Sequence, residues 1–288
     1  MIFELKNDFL KVKINSFGAE LNSLQKIDNS CEYIWQANSK YWARYSPILF
    51  PIVGRLKEDS YFYKDKKYSM SQHGIARDKE FEVVNKKENF IEFRLCSDEK
   101  SFEIYPFSFE LYLSYKLEKS SLIISYKVVN KSDEKILFSI GAHPAFNWTL
   151  DENEKKEDYF LEFEVDKIKR YFLDEKGLLF KSDDLKLENN KLFLNEELFK
   201  DDALVFEDSN IKQVVFKSVK NEKFVKVNFD NFPYLGIWSK PSGAPFLCIE
   251  PWFGVADDKN SNQKLEEKKG INSLKKDEEF SCFYSIEI

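Results

Sequence analysis

Two stretches carry the residues best suited to proton transfer. The 288-residue chain has only 2 histidines. One, His143, lies in Phe138-Ser139-Ile140-Gly141-Ala142-His143-Pro144-Ala145-Phe146-Asn147-Trp148. Gly141 and Ala142 leave room for a close neighbour, either backbone or ligand. Pro144 biases His143 towards extended backbone and interrupts a strand ladder. The pattern reads as a strand end that delivers an imidazole into an aromatic-walled cavity, or as a half-buried structural histidine. The second stretch is Phe246-Leu247-Cys248-Ile249-Glu250-Pro251-Trp252-Phe253-Gly254. A carboxylate there follows largely apolar residues, where burial is costly unless the group is paired or functional. Desolvation raises its pKa unless a cation or donors compensate. Pro251 is expected to take the chain out of the ladder after Glu250, as Pro144 does after His143. Histidine and a desolvated glutamate can both exchange protons near neutral pH.

Two further stretches supply polar groups. Pro47-Ile48-Leu49-Phe50-Pro51-Ile52-Val53-Gly54-Arg55 ends in an arginine. Its planar fork suits hydroxyls or a carboxylate, in a ligand or in the protein itself. Gln72-His73-Gly74-Ile75-Ala76-Arg77 holds the other histidine. Gly74 permits a tight bend that exposes the imidazole, and the alternative is a loop histidine without a role. Aromatic faces suit the C–H face of a sugar ring, while Arg and His suit its hydroxyls. Nucleophilic catalysis has little support, because no Ser lies in a G-x-S-x-G elbow and no Cys has an adjacent His. There is no P-loop and no G-x-G-x-x-G.

The elements that must position these groups are strands. Period-two alternation recurs in Leu10-Val12-Ile14, in Phe81-Val83 returning through Ile91-Phe93-Leu95, and in Leu111-Leu113-Tyr115-Leu117 with Leu122-Ile124-Tyr126-Val128. These read as antiparallel hairpins, with turns at 85–89 and 118–121. Further strands are expected at 160–165, 214–217, 224–229 and 245–249, the last covered on both faces. Another carries Cys282, Tyr284, Ile286 and Ile288 at the C-terminus. Short helices are expected only around Ser39–Tyr45 and Asn195–Lys200. The 28 Phe and 14 Tyr suit strands and the space between packed sheets. The fold class is therefore all-β, a sandwich of antiparallel sheets. Asp151–Asp158 and Asp257–Gly270 read as solvated loops, so residues 1–288 are taken as one domain.

Net charge of -6 argues against whole-protein attraction to nucleic acid or anionic membranes. The 4 cysteines show no metal-like spacing. No signal-peptide core opens the chain and no apolar run is long enough to span a bilayer. A cytoplasmic protein with reduced thiols is expected.

The short motifs also carry a resemblance. Gly18-Ala19-Glu20-Leu21, Leu49-Phe50-Pro51 with Gly54-Arg55, His73-Gly74 with Arg77, Tyr105-Pro106-Phe107, Gly141-Ala142-His143-Pro144-Ala145-Phe146 and Ile249-Glu250-Pro251-Trp252 occur in this order. Their sequence resembles the aldose 1-epimerase (galactose mutarotase) family, and most closely its LacX-like branch. The resemblance implies a galactose-mutarotase-like supersandwich and interconversion of sugar anomers without a cofactor or metal. It implies Glu250 as general base and His143 as general acid. Arg55, His73 and Asp202 are implied to bind the sugar, with Arg77 a further pocket residue and Asp201 or Asp208 as alternatives to Asp202. A related branch acts on hexose 6-phosphates, and Arg44, Arg55 and Arg77 are near enough in sequence to supply a basic pocket. A monomer or homodimer acting on a small-molecule sugar is expected.

Three other functions remain open at this level. A carbohydrate-binding protein needs the aromatic pocket but no proton-transfer pair. Glycoside hydrolysis needs two carboxylates, such as Glu250 with Asp202. His73, His143 and Glu250 match the residue types of a facial metal triad.

Overall fold

The computed structural model describes residues 1–207, 210–241 and 243–288. Alternation in the sequence becomes alternation of faces. In Phe109–Glu118, Phe109, Leu111, Leu113, Tyr115 and Leu117 are buried while Lys116 and Glu118 are exposed. The strand pairs antiparallel with Ser121–Asn130, setting Leu117 opposite Leu122 and Tyr115 opposite Ile124. Ser121–Asn130 pairs in turn with Glu279–Glu287. These strands form the middle of a nine-stranded antiparallel sheet that runs from Lys191–Phe193 at one edge to Glu82–Lys87 at the other. The latter strand is exposed throughout and carries Glu82, Lys86 and Lys87, charges that discourage pairing with another chain.

The second large sheet has eight strands. Its order is Leu179–Lys186, Lys167–Leu173, Leu204–Glu207, Tyr234–Trp238, Phe246–Phe253, Ile140–Ala142 and Ile48–Leu49, with Ala145–Asn147 also paired to Phe246–Phe253. Leu111 and Ile124 of the first sheet share one apolar core with Phe206, Leu247 and Ile249 of the second. The fold is an all-β arrangement of large antiparallel sheets, as expected.

Several local expectations are corrected. Phe246–Phe253 continues through Pro251, which lies opposite Leu235 of the neighbouring strand. The other neighbour is interrupted between Ala142 and Ala145. The Ile249 N–H reaches the Pro144 carbonyl on that side. Pro251 is two residues on, so its missing N–H falls where no ladder partner is waiting. Val83 is exposed rather than core-facing, because its strand is the outermost of the sheet and both of its faces are open to solvent. That strand extends to Lys87, leaving a turn at Glu88–Asn89.

Ser39–Tyr45 forms no helix. The Tyr41 and Trp42 N–H groups bond the Asn38 carbonyl, and the Tyr45 and Ser46 N–H groups are drawn to the Glu20 carboxyl. Near Asn195–Lys200 only a 3-10 turn forms, Glu196–Phe199, with the Asn195 side chain accepting from the Leu198 N–H. One α-helix was missed, Glu99–Ile104, with a reciprocal Asp98–Ser101 cap.

Asp257–Gly270 is not simply a solvated loop. Lys268 and Asp257 are both buried and form an ion pair at 2.8 Å. The Lys268 ammonium also donates to the Val255 carbonyl, and Asp257 accepts the Lys57 N–H. Removing one partner of such a pair strands the other charge in the interior. Lys268→Met is therefore expected to lower the unfolding free energy by about 3–5 kcal/mol. Urea unfolding checks this, and an unchanged midpoint contradicts the structural role assigned to the pair.

Candidate active site

Alternation along Phe246–Phe253 separates two surfaces. Leu247 and Ile249 face the main core, whereas Phe246, Cys248 and Trp252 join apolar clusters on the other side. Glu250 shares that second side. Trp252 fits there because Gly141 and Gly236 lack side chains. A Cβ on Gly141 would lie 2.5 Å from the indole, and one on Gly236 would lie 2.3 Å from it. The close neighbour for which Gly141 leaves room is therefore the Trp252 ring, not backbone or ligand. The Trp252 N–H is held by the Ala142 carbonyl at 3.1 Å.

His143 sits in the break between Ile140–Ala142 and Ala145–Asn147. Trp42 stacks on it at 4.8 Å, with Trp238 and His73 edge-on at 5.6 and 5.5 Å. His143 Nδ1 lies 3.3 Å from Glu250 Oε2. The atoms are in contact, yet neither completes an aligned hydrogen bond with any protein group. Burial pushes the His143 pKa down to about 3, and Arg77 adds to the effect. Burial also holds the Glu250 carboxyl well above its ordinary range, helped by the Asp202 carboxylate and partly eased by the Trp252 indole. The pair thus keeps one proton over a wide pH interval, with burial favouring neutral acid beside neutral imidazole.

These two groups open onto a cavity of about 370 Å³, a size suited to a small molecule. His73, Arg77 and Asp202 line it too, together with Trp42, Arg44, Gln72, Trp238 and Trp252. His73 Nδ1 accepts the Gly54 N–H at 3.2 Å. The neutral ring therefore carries its remaining proton on Nε2, and burial keeps it neutral by lowering its pKa. His73 has φ 68° and Gly74 φ 74°. A Cβ on Gly74 would come within 2.3 Å of the Phe50 carbonyl, so this bend requires glycine.

Asp202 also has positive φ, 78°. Of the alternatives to it, Asp201 lines only the neighbouring depression, and Asp208 lies outside the described residues. Arg55 does not line the cavity. Its guanidinium faces Gln72 at 3.4 Å and Asp59 at 3.7 Å on the adjoining surface. Sequence reasoning did not single out Trp42, Gln72 or Trp238 as lining residues. Trp42 was assigned to a helix, and no motif distinguishes Trp238 from a core aromatic at a strand end.

The family model for aldose 1-epimerase matches residues 1–268. The chain belongs to the aldose 1-epimerase family. It is 37% identical over 285 residues to the plasmid-encoded protein LacX of Lactococcus lactis subsp. lactis, covering 95% of each chain. A galactose mutarotase related enzyme from Lactobacillus acidophilus has a TM-score of 0.95 and 38% identity, covering 100% of this chain and 97% of that one. A galactose mutarotase-like protein from Lactobacillus casei has a TM-score of 0.94 and 29% identity, covering 100% and 99%. Membership and fold support a sugar epimerase, as the motif order suggested. Among the described residues, no helix is long and apolar enough to cross a membrane.

The buried pair of this epimerase-family protein has opposite pH signatures. Glu250 binds its proton more tightly folded than unfolded. Its contribution to stability is full below the ordinary 4.5 and is lost as pH rises through the raised folded value. Glu250→Gln removes that loss and is expected to stabilise the protein at about pH 8, with little effect near pH 4. His143 binds its proton less tightly folded than unfolded. Its contribution is full above 6.5 and is lost as pH falls towards about 3. Its ring-proton NMR signals are expected to stay flat from about pH 5 to 8. A titration centred near 6.5, or a destabilised Glu250→Gln protein at the higher pH, contradicts this electrostatic account.

Proposed function

We propose that this protein is an aldose 1-epimerase, interconverting the α and β anomers of a hexose or related sugar. The observation that carries the reading is the Glu250–His143 contact at the head of a tryptophan-walled cavity. Tryptophan faces cover the C–H face of a pyranose, while His73, Gln72, Arg77 and Asp202 meet its hydroxyls.

In the reactive form Glu250 is the carboxylate and His143 the imidazolium. Glu250 takes the proton from the anomeric hydroxyl as His143 gives one to the ring oxygen. The bond between C1 and the ring oxygen breaks and C1 becomes an aldehyde. Rotation about C1–C2 presents the other carbonyl face, and the reverse transfers close the ring. Ring opening leaves Glu250 and His143 both neutral, the state favoured by burial. Desolvation thus destabilises the charged pair before ring opening and relaxes once the proton transfers are complete.

A second reading, hexose-6-phosphate 1-epimerase, is favoured by Arg44 and Arg77. Both line the cavity, with the Asp78 and Glu20 carboxyls nearby. Arg44 meets Asp78 at 2.7 Å, while Arg77 Nε is 3.8 Å from it and buried without an aligned partner. A sugar with an anionic substituent would pair with these guanidinium groups.

An NMR anomer-exchange screen over glucose, galactose, other aldoses and their 6-phosphates tests both readings. Acceleration of exchange is expected, with Glu250→Gln and His143→Asn each slowing it on the order of 10²–10⁴-fold in folded protein. Normal rates in both variants sink the acid–base assignment. If 6-phosphates are preferred, Arg77→Met is expected to erase the preference, read as the ratio of 6-phosphate to free-sugar exchange within the variant. Equal rates on both sugar classes in the wild type exclude the second reading.

A further inference from the structure

Cys248 takes no part in the proposed reaction, but its placement beside the proton-transfer pair is chemically suggestive. It precedes Glu250 by two residues in the same strand, so both side chains project to one side. His143, Cys248 and Glu250 are all buried, and one donor atom from each lies within 4.8 Å of the other two. His143 Nδ1 and Glu250 Oε2 are buried without an aligned partner, and both side chains are more than nine-tenths removed from solvent. We propose that Cys248, His143 and Glu250 form an inhibitory binding site for a thiophilic divalent cation of the Zn²⁺ type.

The distances fit such an ion. Nitrogen and oxygen ligands of tetrahedral Zn²⁺, each about 2.0–2.1 Å from the metal, lie roughly 3.3 Å apart. His143 Nδ1 and Glu250 Oε2 are 3.3 Å apart. The thiolate needs a slightly longer bond of about 2.3 Å, so Cys248 Sγ has on the order of 1 Å to travel. Imidazole, thiolate and carboxylate are the usual donor types for Zn²⁺. One thiolate and one carboxylate cancel its charge, which lowers the cost of placing it in the interior. The Cys248 S–H and the Glu250 acid O–H each release a proton to solvent, while neutral His143 supplies a lone pair. His143 and Glu250 line the cavity, from which a water can supply a fourth ligand. Because the ion occupies His143 and Glu250, it blocks the proton relay. Only this inhibitory consequence rests on the proposed function.

The test uses the full chain freed of metal by chelation and dialysed against Zn²⁺ alone. Wild type is expected to bind one ion, with at least about tenfold weaker binding in Cys248→Ser. Co²⁺ in place of Zn²⁺ is expected to produce a thiolate-to-metal charge-transfer band in wild type that Cys248→Ser lacks. Anomer exchange is expected to stop on Zn²⁺ addition and return with chelator. Cys248→Ser keeps its basal rate and resists the metal. Absence of Zn²⁺ binding by wild type, equal affinity in the variant, or a cobalt spectrum without the thiolate band overturns the site. If Cys248→Ser does not fold, Cys248→Ala takes its place, and the wild-type cobalt spectrum decides without either variant. Binding is read without sugar, so failure of the metal site and failure of the epimerase reading are distinct results.

Discussion

A carboxyl and an imidazole, both withdrawn from water, face each other across 3.3 Å in this protein. Burial disfavours the charged form of each group. Together they favour a neutral acid beside a neutral imidazole, with the proton on Glu250. The same burial that shifts both pKa values makes the charged arrangement costly. Ionising Glu250 therefore works against the stability of the fold.

The strand bearing Glu250 can hold a buried carboxyl because its faces serve different ends. Leu247 and Ile249 anchor one face in the main core. Cys248 and Trp252 join Glu250 on the other. Gly141 and Gly236 make the second face possible by admitting the Trp252 indole between neighbouring strands. The buried Lys268–Asp257 pair supports the adjacent wall, since Lys268 holds the carbonyl of cavity-lining Val255 and Asp257 holds the Lys57 N–H. A segment that looks like solvated loop by composition is thereby tied to the cavity. The arrangement also brings a thiol near an acid and an imidazole.

Much of this was legible in the residues. Alternating Leu111, Leu113, Tyr115 and Leu117 specify a strand with one buried face because a period-two pattern has only one way to satisfy a core. An acid in an apolar strand marked Glu250 as a candidate, and the structure does bury it beside His143. Failures came where tertiary partners override local patterns. Trp42 and its neighbours have a helical composition, but the Glu20 carboxyl captures the Tyr45 and Ser46 amides. Pro251 looked like a strand terminator because its missing N–H is apparent in sequence, while the gap that makes the loss harmless belongs to another segment.

By itself the sequence determined the all-β character, the faces of the principal strands, and His143 and Glu250 as the groups suited to proton exchange. Those follow from periodicity and from the cost of burying polar side chains, which are local properties. Tertiary structure alone decided that the two meet, that tryptophans from separate segments wall their cavity, and that Arg77 lines it while Arg55 turns away. More than a hundred positions separate His143 from Glu250 in the chain. Their contact depends on strand order and register across the sheet, which arise from long-range pairing rather than from either residue's neighbours.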